Sequence, residues 1–241
     1  MRQYAVDVLG PDPEAPFPDP GHCDHPDGLL AVGGDLSIRR LLNAYRNGIF
    51  PWYEPGGPLL WWSPDPRAVL IPDAIHVPRR LMRTLRQQRH RVTLDRDFEA
   101  VIDGCAASRS DNAGTWITPE MRAAYVALHR AGHAHSIEVR RDETLVGGLY
   151  GVAVGAMFYA ESKFHVERDA SKIALVELAI RLHRAGFILC DCQLWNPHLE
   201  QFGVRMIDRR DFLRLVRHAT GLPERPLSAP SPQAREADDR R

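Results

Sequence analysis

Hydrophobic positions recur with a helical period in several stretches of the chain. From Ser37, a good N-cap, Leu41, Leu42 and Tyr45 fall on one face and Gly48 supplies the stop, so the spacing predicts a helix between them. After Pro78, residues 79–90 read as a second amphipathic helix, with Leu81 and Leu85 on one face and Arg79, Arg83 and Arg86 on the opposite one. Thr118 as cap and Pro119 at the first position open a third, which carries Met121, Tyr125 and Leu128 and stops at Gly132.

The period then changes to two. HSIEVR, a turn at Arg141 to Glu143, and LVGGLYGVAVGAMFYAES predict a hairpin running into a third strand. DASKIALVELAIRLHRAG follows as a helix, with Asp169 or Ser171 as cap and Gly186 as stop. FILCDCQLW predicts one more strand and DRRDFLRLVRHATG a closing helix. A meander followed by a helix and a strand suits an α+β fold better than a doubly wound sheet. Residues 11–28 are rich in Pro, Asp and Gly and read as an irregular lead-in. The Pro-rich stretch around FPWYEPGGP and LLWWSPDPRAVLIP marks the boundary between a small N-terminal domain, residues 1–66, and a larger one, residues 67–221. Residues 222–241 offer little to bury and predict a disordered tail.

Composition narrows the function classes. With 31 Lys and Arg against 31 Asp and Glu, the chain is not a general nucleic-acid coat, and any RNA contact must be a local patch. Only Lys163 and Lys172 are lysines. The opening residues lack an apolar signal region, and no run of about 18 apolar residues follows, which predicts a soluble, unexported protein. Four cysteines, Cys23, Cys105, Cys190 and Cys192, are too few for a disulfide scaffold and fit a reducing cytoplasm.

Candidate chemistry concentrates in FILCDCQLWN. Alternation puts Asp191 and Gln193 on one side of the strand and Cys190 and Cys192 on the other. An acid and an amide emerging from an apolar stretch form either a reactive pair or a cap on a neighbouring loop. Glu161, ending YAES, is placed to face that pair, or else to pair with Lys163 on the same strand face. Trp52 and Trp116 stand in loop contexts suited to stacking on unpaired bases, whereas Trp61 and Trp62 read as packing residues. The Arg79, Arg83 and Arg86 stripe is either a phosphate grip or a solvated helix face. His22, Cys23 and His25 match no usual zinc spacing, and GGLYG lacks the following helix of a dinucleotide loop.

Eight segments in order, GLLAVGGDLS, LLNAYRNGIFPW, LLWWSPDPRAVL, GTWIT, HAHSIEV, GGLYGV, ASKIAL and DCQLWN, resemble the leucyl/phenylalanyl-tRNA-protein transferase family. The resemblance runs from about Phe17 to Leu215. It implies a small N-terminal domain joined to an N-acetyltransferase-like domain, and a catalytic acid at Asp191 and amide at Gln193, with the glutamate of the family's motif at Glu161. It also implies tRNA 3'-adenosine contacts at Trp52, Trp116, Tyr45 and Tyr125 and a donor side-chain pocket at Leu149, Phe158 and Lys163. Phosphate contacts fall to Arg79, Arg83 and Arg86. Three positions depart from the family's pattern: Lys163 stands for a usual methionine, Val166 for a usual arginine and Arg140 for a usual tryptophan.

The implied reaction moves Leu or Phe from aminoacyl-tRNA onto the N-terminal α-amine of proteins beginning with Arg or Lys, marking them for N-end rule degradation. In this reading Asp191 polarises Gln193, the protein acts as a cytoplasmic monomer, and no metal, nucleotide or coenzyme takes part. Two other classes stay open on the sequence. A coenzyme A-dependent N-acetyltransferase would share the fold but needs a Gly-rich pyrophosphate loop, for which VERDASK is a poor match. A non-catalytic tRNA-binding relative would explain the altered AESKFHV, but not the intact DCQ.

Overall fold

The computed structural model describes residues 4, 6–108 and 115–227. Two sheets organise them. The smaller contains β1 (Asp7–Leu9), β2 (Leu29–Gly33), β3 (Phe50–Pro51) and β4 (Leu60–Trp62) in the order β1-β2-β4-β3, with only β1 and β2 parallel. Helix α1 (Ile38–Arg46) lies between β2 and β3, capped as expected by the Ser37 hydroxyl, which accepts from the Arg40 amide. Gly48 ends it at φ 71°, where a Cβ would stand 2.8 Å from the Phe212 ring, so only glycine fits both the backbone and the space.

The larger sheet has seven strands in the order β11-β5-β10-β9-β8-β7-β6. They are β5 (Arg67–Leu70), β6 (Arg91–Leu94), β7 (Ala134–Arg141), β8 (Thr144–Val154), β9 (Met157–His165), β10 (Leu189–Gln193) and β11 (Arg205–Ile207). Every neighbouring pair is antiparallel except β9 and β10. The helices are α2 (Arg79–Arg86), α3 (Phe98–Ala107), α4 (Pro119–Arg130), α5 (Ala170–Ala185), α6 (Pro197–Glu200) and α7 (Arg209–Thr220). The expected α+β class, with its small N-terminal domain, is what the chain adopts.

Apolar side chains cover both faces of the large sheet. One cluster joins Leu41, Tyr45 and Trp61 of the N-terminal elements to Phe98, Tyr125, Tyr150, Tyr159 and Phe212. The other packs α2 and α5 against Leu149, Phe158 and Cys190. Burying both faces explains why β8 is apolar almost throughout instead of alternating, and why β9 is apolar without alternation from Met157 to Ala160. Residues 222–227, expected in a tail, are packed: Leu227 is buried, Glu224 accepts from the Gly155 amide, and Arg225 donates to the Ala185 carbonyl. Composition missed this because one leucine and two charged side chains suffice to hold a short segment. The remainder of the expected tail, 228–241, lies outside the described residues.

One irregularity in β9 governs the site. Gly151 pairs with Ala160, yet Tyr150 pairs with Ser162, so Glu161 is the extra residue of a β-bulge. Gly151 makes room for it, since a Cβ there would meet the Tyr159 carbonyl at 2.2 Å. Simple alternation puts Glu161 and Lys163 on one face, and the bulge overturns that expectation. Glu161 turns to the cluster that holds Tyr45 and Tyr125, while Lys163 pairs in register with Leu149 of the other.

Candidate active site

β9 and β10 run parallel and stay in register from Leu189–Met157 to Asp191–Tyr159. Beyond that point they part. A cleft of about 190 Å³ opens between them, walled by Glu161 and Lys163 on one strand and Cys192 and Gln193 on the other. Leu149, Leu175 and Leu199 form its apolar side, and Trp52 and Trp116 stand at its mouth. Of the candidates read from the sequence, Glu161, Gln193, Trp52, Trp116, Leu149 and Lys163 meet here.

Asp191 lies behind the cleft wall. It is fully buried, and Arg67 grips both its oxygens, Nε to Oδ1 at 2.9 Å and Nη2 to Oδ2 at 2.7 Å. Arg67 is itself fully buried, between the Phe50 and Phe212 rings at 4.7 and 4.5 Å. Asp191 Oδ1 also accepts from the backbone amide of Gln193 at 2.8 Å. That bond holds Gln193 at φ 60°, in the left-handed region that non-glycine residues seldom occupy. Asp191 therefore touches Gln193 through its backbone, not through the side-chain amide, which corrects the expected polarising role. Sequence reasoning missed Arg67. The available sign was an arginine opening an otherwise apolar strand, which required a buried partner.

The bent backbone aims Gln193 at Glu161, and the amide Nε2 donates to Oε1 at 3.2 Å. Two buried phenols complete the shell: Tyr45 donates to Oε1 at 2.8 Å and Tyr125 to Oε2 at 2.9 Å. Their hydroxyl oxygens lie 2.7 Å apart. Three short oxygen–oxygen contacts share two phenolic protons, so the network has room for one more proton, on Glu161. Burial accordingly pushes the Glu161 carboxyl up to about 7, against the pull of its three donors. Burial and the neighbouring Glu161 raise both phenols well above the ordinary tyrosine value, and they stay protonated donors.

Two expected roles change. Tyr45 and Tyr125 are wholly inaccessible, so neither stacks on a base; they hold Glu161 instead. Phe158 is equally buried and packs edge-on against Phe187, behind the cleft lining. Arg79, Arg83 and Arg86 of α2 do not line the cleft, and Arg86 lines a separate groove with Met82 and Ile180. Trp52 keeps its expected exposure at 44%, and Trp116 is half-buried, edge-on to Tyr125. Among the described residues, no three His, Cys, Asp or Glu side chains converge as a metal-holding group. No described helix is long and apolar enough to cross a membrane.

Residues 69–217 match the leucyl/phenylalanyl-tRNA protein transferase family, and residues 34–65 match that family's N-terminal domain. The chain belongs to this family. It is an aminoacyltransferase. A leucyl/phenylalanyl-tRNA–protein transferase of Nitratidesulfovibrio vulgaris (strain DP4) is 55% identical over 93% of this chain and 94% of its own length. That of Azotobacter vinelandii (strain DJ / ATCC BAA-1303) is 54% identical over 82% of this chain and 88% of its own. Solved structures resemble the transferase only distantly. A GCN5-related N-acetyltransferase from Kribbella flavida shares 10% identity at a TM-score of 0.38, covering 66% of this chain and 57% of that one. L-PGS from Bacillus licheniformis shares 8% at 0.42, covering 81% and 74%. At these scores the likenesses carry no further argument.

Proposed function

We propose that the transferase moves Leu or Phe from the 3' end of aminoacyl-tRNA onto the N-terminal α-amine of proteins beginning with Arg or Lys, in the cytoplasm, as an N-end rule mark. The Glu161–Gln193 contact at the parting of β9 and β10 carries the reading. It sets one carboxyl and one amide between a tryptophan-flanked mouth and an apolar wall.

The donor is an activated ester, so the step needs positioning more than chemical force. The acceptor amine has an ordinary pKa of about 7.7 to 8.0, so a sizeable fraction is already neutral near pH 7.5. Its nitrogen attacks the ester carbon, the carbon–oxygen bond to the ribose breaks, and the proton lost by the amine ends on the ribose oxygen. The Gln193 carbonyl accepts an N–H of the amine and orients its lone pair. Glu161 titrates close to the amine and is the one carboxyl on the described cleft wall; ionised, it attracts the basic first residue, then takes the amine's proton and passes it to the departing ribose oxygen. Asp191 and Arg67 position Gln193 from behind. Trp52 and Trp116 offer ring faces for the terminal adenosine, and Leu149, Leu175 and Leu199 an apolar seat for the donor side chain.

The test is transfer of labelled Leu, Phe and other amino acids from charged tRNA onto one protein made with either Arg or Ala at its N-terminus. The reading expects Leu and Phe on the Arg form alone. Trp52→Ala and Trp116→Ala should each weaken binding of an aminoacyl-adenosine mimic by about 1–3 kcal/mol. No transfer from any charged tRNA would overturn the reaction. Equal binding of the mimic without either tryptophan would overturn the stacking.

A further inference from the structure

Two thiols beside the cleft have no part in the transfer as derived above. Cys190 and Cys192 flank Asp191 in β10, both as free thiols. Cys190 is fully buried, and Cys192 reaches the cleft. Both pack with the cluster that holds Leu149 and Phe158, whereas Cys23 and Cys105 belong to the cluster on the opposite face of the sheet.

The strand brings the two sulfurs together. A regular strand advances about 3.3 Å per residue, which sets positions i and i+2 about 6.6 Å apart, at the far limit of the roughly 4.4–6.8 Å between Cα atoms that a disulfide tolerates. Strand β10 is not regular here. Asp191 pairs with Val69 and Gln193 with Ala68, so two steps of β10 match a single step of β5, and Cys192 is the extra residue of a bulge. The bulge shortens the span from Cys190 to Cys192, and their sulfurs share a hydrogen bond. That bond and burial push the Cys190 thiol well above the ordinary cysteine value, while the Lys163 ammonium pulls the other way. Cys190 is thus the sheltered, protonated member, and Cys192 is the one that a small molecule in the cleft meets.

We propose that Cys190 and Cys192 form an oxidation site in the cleft, where a hydroperoxide converts the pair to a disulfide that halts transfer until a thiol reopens it. The Cys192 sulfur attacks one oxygen of hydrogen peroxide and the oxygen–oxygen bond breaks. The hydroxide that departs takes the thiol proton and leaves as water, and Cys192 becomes a sulfenic acid. The Cys190 sulfur then attacks the Cys192 sulfur, the sulfur–oxygen bond breaks, and the released hydroxide carries off the Cys190 proton as a second water. Two thiols and one peroxide give one disulfide and two waters, and two equivalents of a small thiol restore the pair. The effect on transfer rests on the role proposed for Gln193. A sulfur–sulfur bond of about 2.05 Å in place of a hydrogen bond draws in the backbone on both sides of Asp191. The Asp191 carboxylate holds the Gln193 amide at 2.8 Å, so the pull turns Gln193 away from Glu161.

The test exposes the full chain to hydrogen peroxide and compares transfer, intact mass and the cysteines open to alkylation after unfolding. Transfer should fall about a hundredfold, the cost of a small misplacement at a reacting centre. The chain should lose two hydrogens, mapped to Cys190 and Cys192, and dithiothreitol should return both mass and transfer. Cys190→Ser should stop at the sulfenic acid of Cys192, which dimedone captures. Cys192→Ser should keep both its mass and its own untreated rate of transfer. A treated parent whose Cys190 and Cys192 stay open to alkylation would overturn the site, and a disulfide formed with transfer unchanged would overturn the switch. An equal fall of transfer in Cys192→Ser would overturn it too. An untreated parent that transfers from no charged tRNA would instead remove the reading of Gln193, and mass and alkylation would still report the disulfide.

Discussion

Arg67 and Asp191 face each other across β5 and β10 with two parallel hydrogen bonds, and neither side chain touches solvent. A buried ion pair of this kind is vulnerable to the loss of one partner, because the remaining charge has no water to turn to. Arg67→Ala and Asp191→Ala should each destabilise the fold by about 3–5 kcal/mol, and the double variant by less than their sum. Both should also lose transfer, since Gln193 depends on the Asp191 carboxylate for its bent backbone. Denaturant titrations and transfer assays on the same variants check this. An Asp191→Ala protein as stable as the original but inactive, beside a fully active Arg67→Ala, would make Asp191 a chemical participant instead of a positioning residue.

Glu161 predicts a pH dependence of a definite sign. Unfolded, the carboxyl ionises near 4.5; folded, near 7. Between those values the native state holds a proton that the unfolded chain has released, so this group's contribution to stability falls as pH rises from about 4.5 to about 7. The slope is at most about 1.4 kcal/mol per pH unit. Glu161→Gln should remove that slope. Glu167 acts in a separate window, because the stability from its depressed carboxyl is present in full above about 4.5 and is lost as pH falls from there toward about 2. Unfolding free energies of the two proteins at pH 5, 6, 7 and 8 decide the matter, and parallel curves would show that Glu161 is ionised throughout.

Lys163 lies across from Leu149 on the apolar side of the cleft, close enough for its charge to act on the buried Cys190 thiol. A lysine there keeps its stem against the leucines and brings an ammonium to the seat of the donor side chain. Lys163→Met should raise transfer of Phe and Leu relative to smaller or more polar donors, leaving the requirement for a basic acceptor unchanged. The measurement is a ranking of donors from one set of charged tRNAs. Identical rankings would show that this position does not select the donor.

Local chemistry was legible in the sequence, and contacts between distant residues were not. The Ser37 cap, the Thr118–Pro119 start and the Gly186 stop each involve neighbours within a turn, and each stands where the spacing put it. Helix α3 escaped notice because Asp97 gives it no side-chain cap and it has little amphipathic contrast. The faces of Glu161 and Lys163 were misjudged because a bulge is a property of two strands, and Gly151, where the register shifts, sits on the other one. Arg67 and Asp191 are 124 residues apart, and Tyr45 and Glu161 are 116 apart. No periodicity links positions that far separated. Trp52, Trp116, Gln193 and the two tyrosines stood out from their segments, while the hold of the Tyr45 and Tyr125 phenols on Glu161 had to be seen in place.

The cleft is assembled from two ends of the chain. Phe50, Trp52 and the Tyr45 phenol come from elements before β5, and Gln193 and its supporting aspartate come from β10. An engineer who cut the backbone between β4 and β5 would hold two fragments, one with Phe50, Trp52 and the Tyr45 phenol and one with Trp116, the carboxyl and the amide. Neither would enclose a site, and the reappearance of aminoacyl transfer on mixing them would report their reunion.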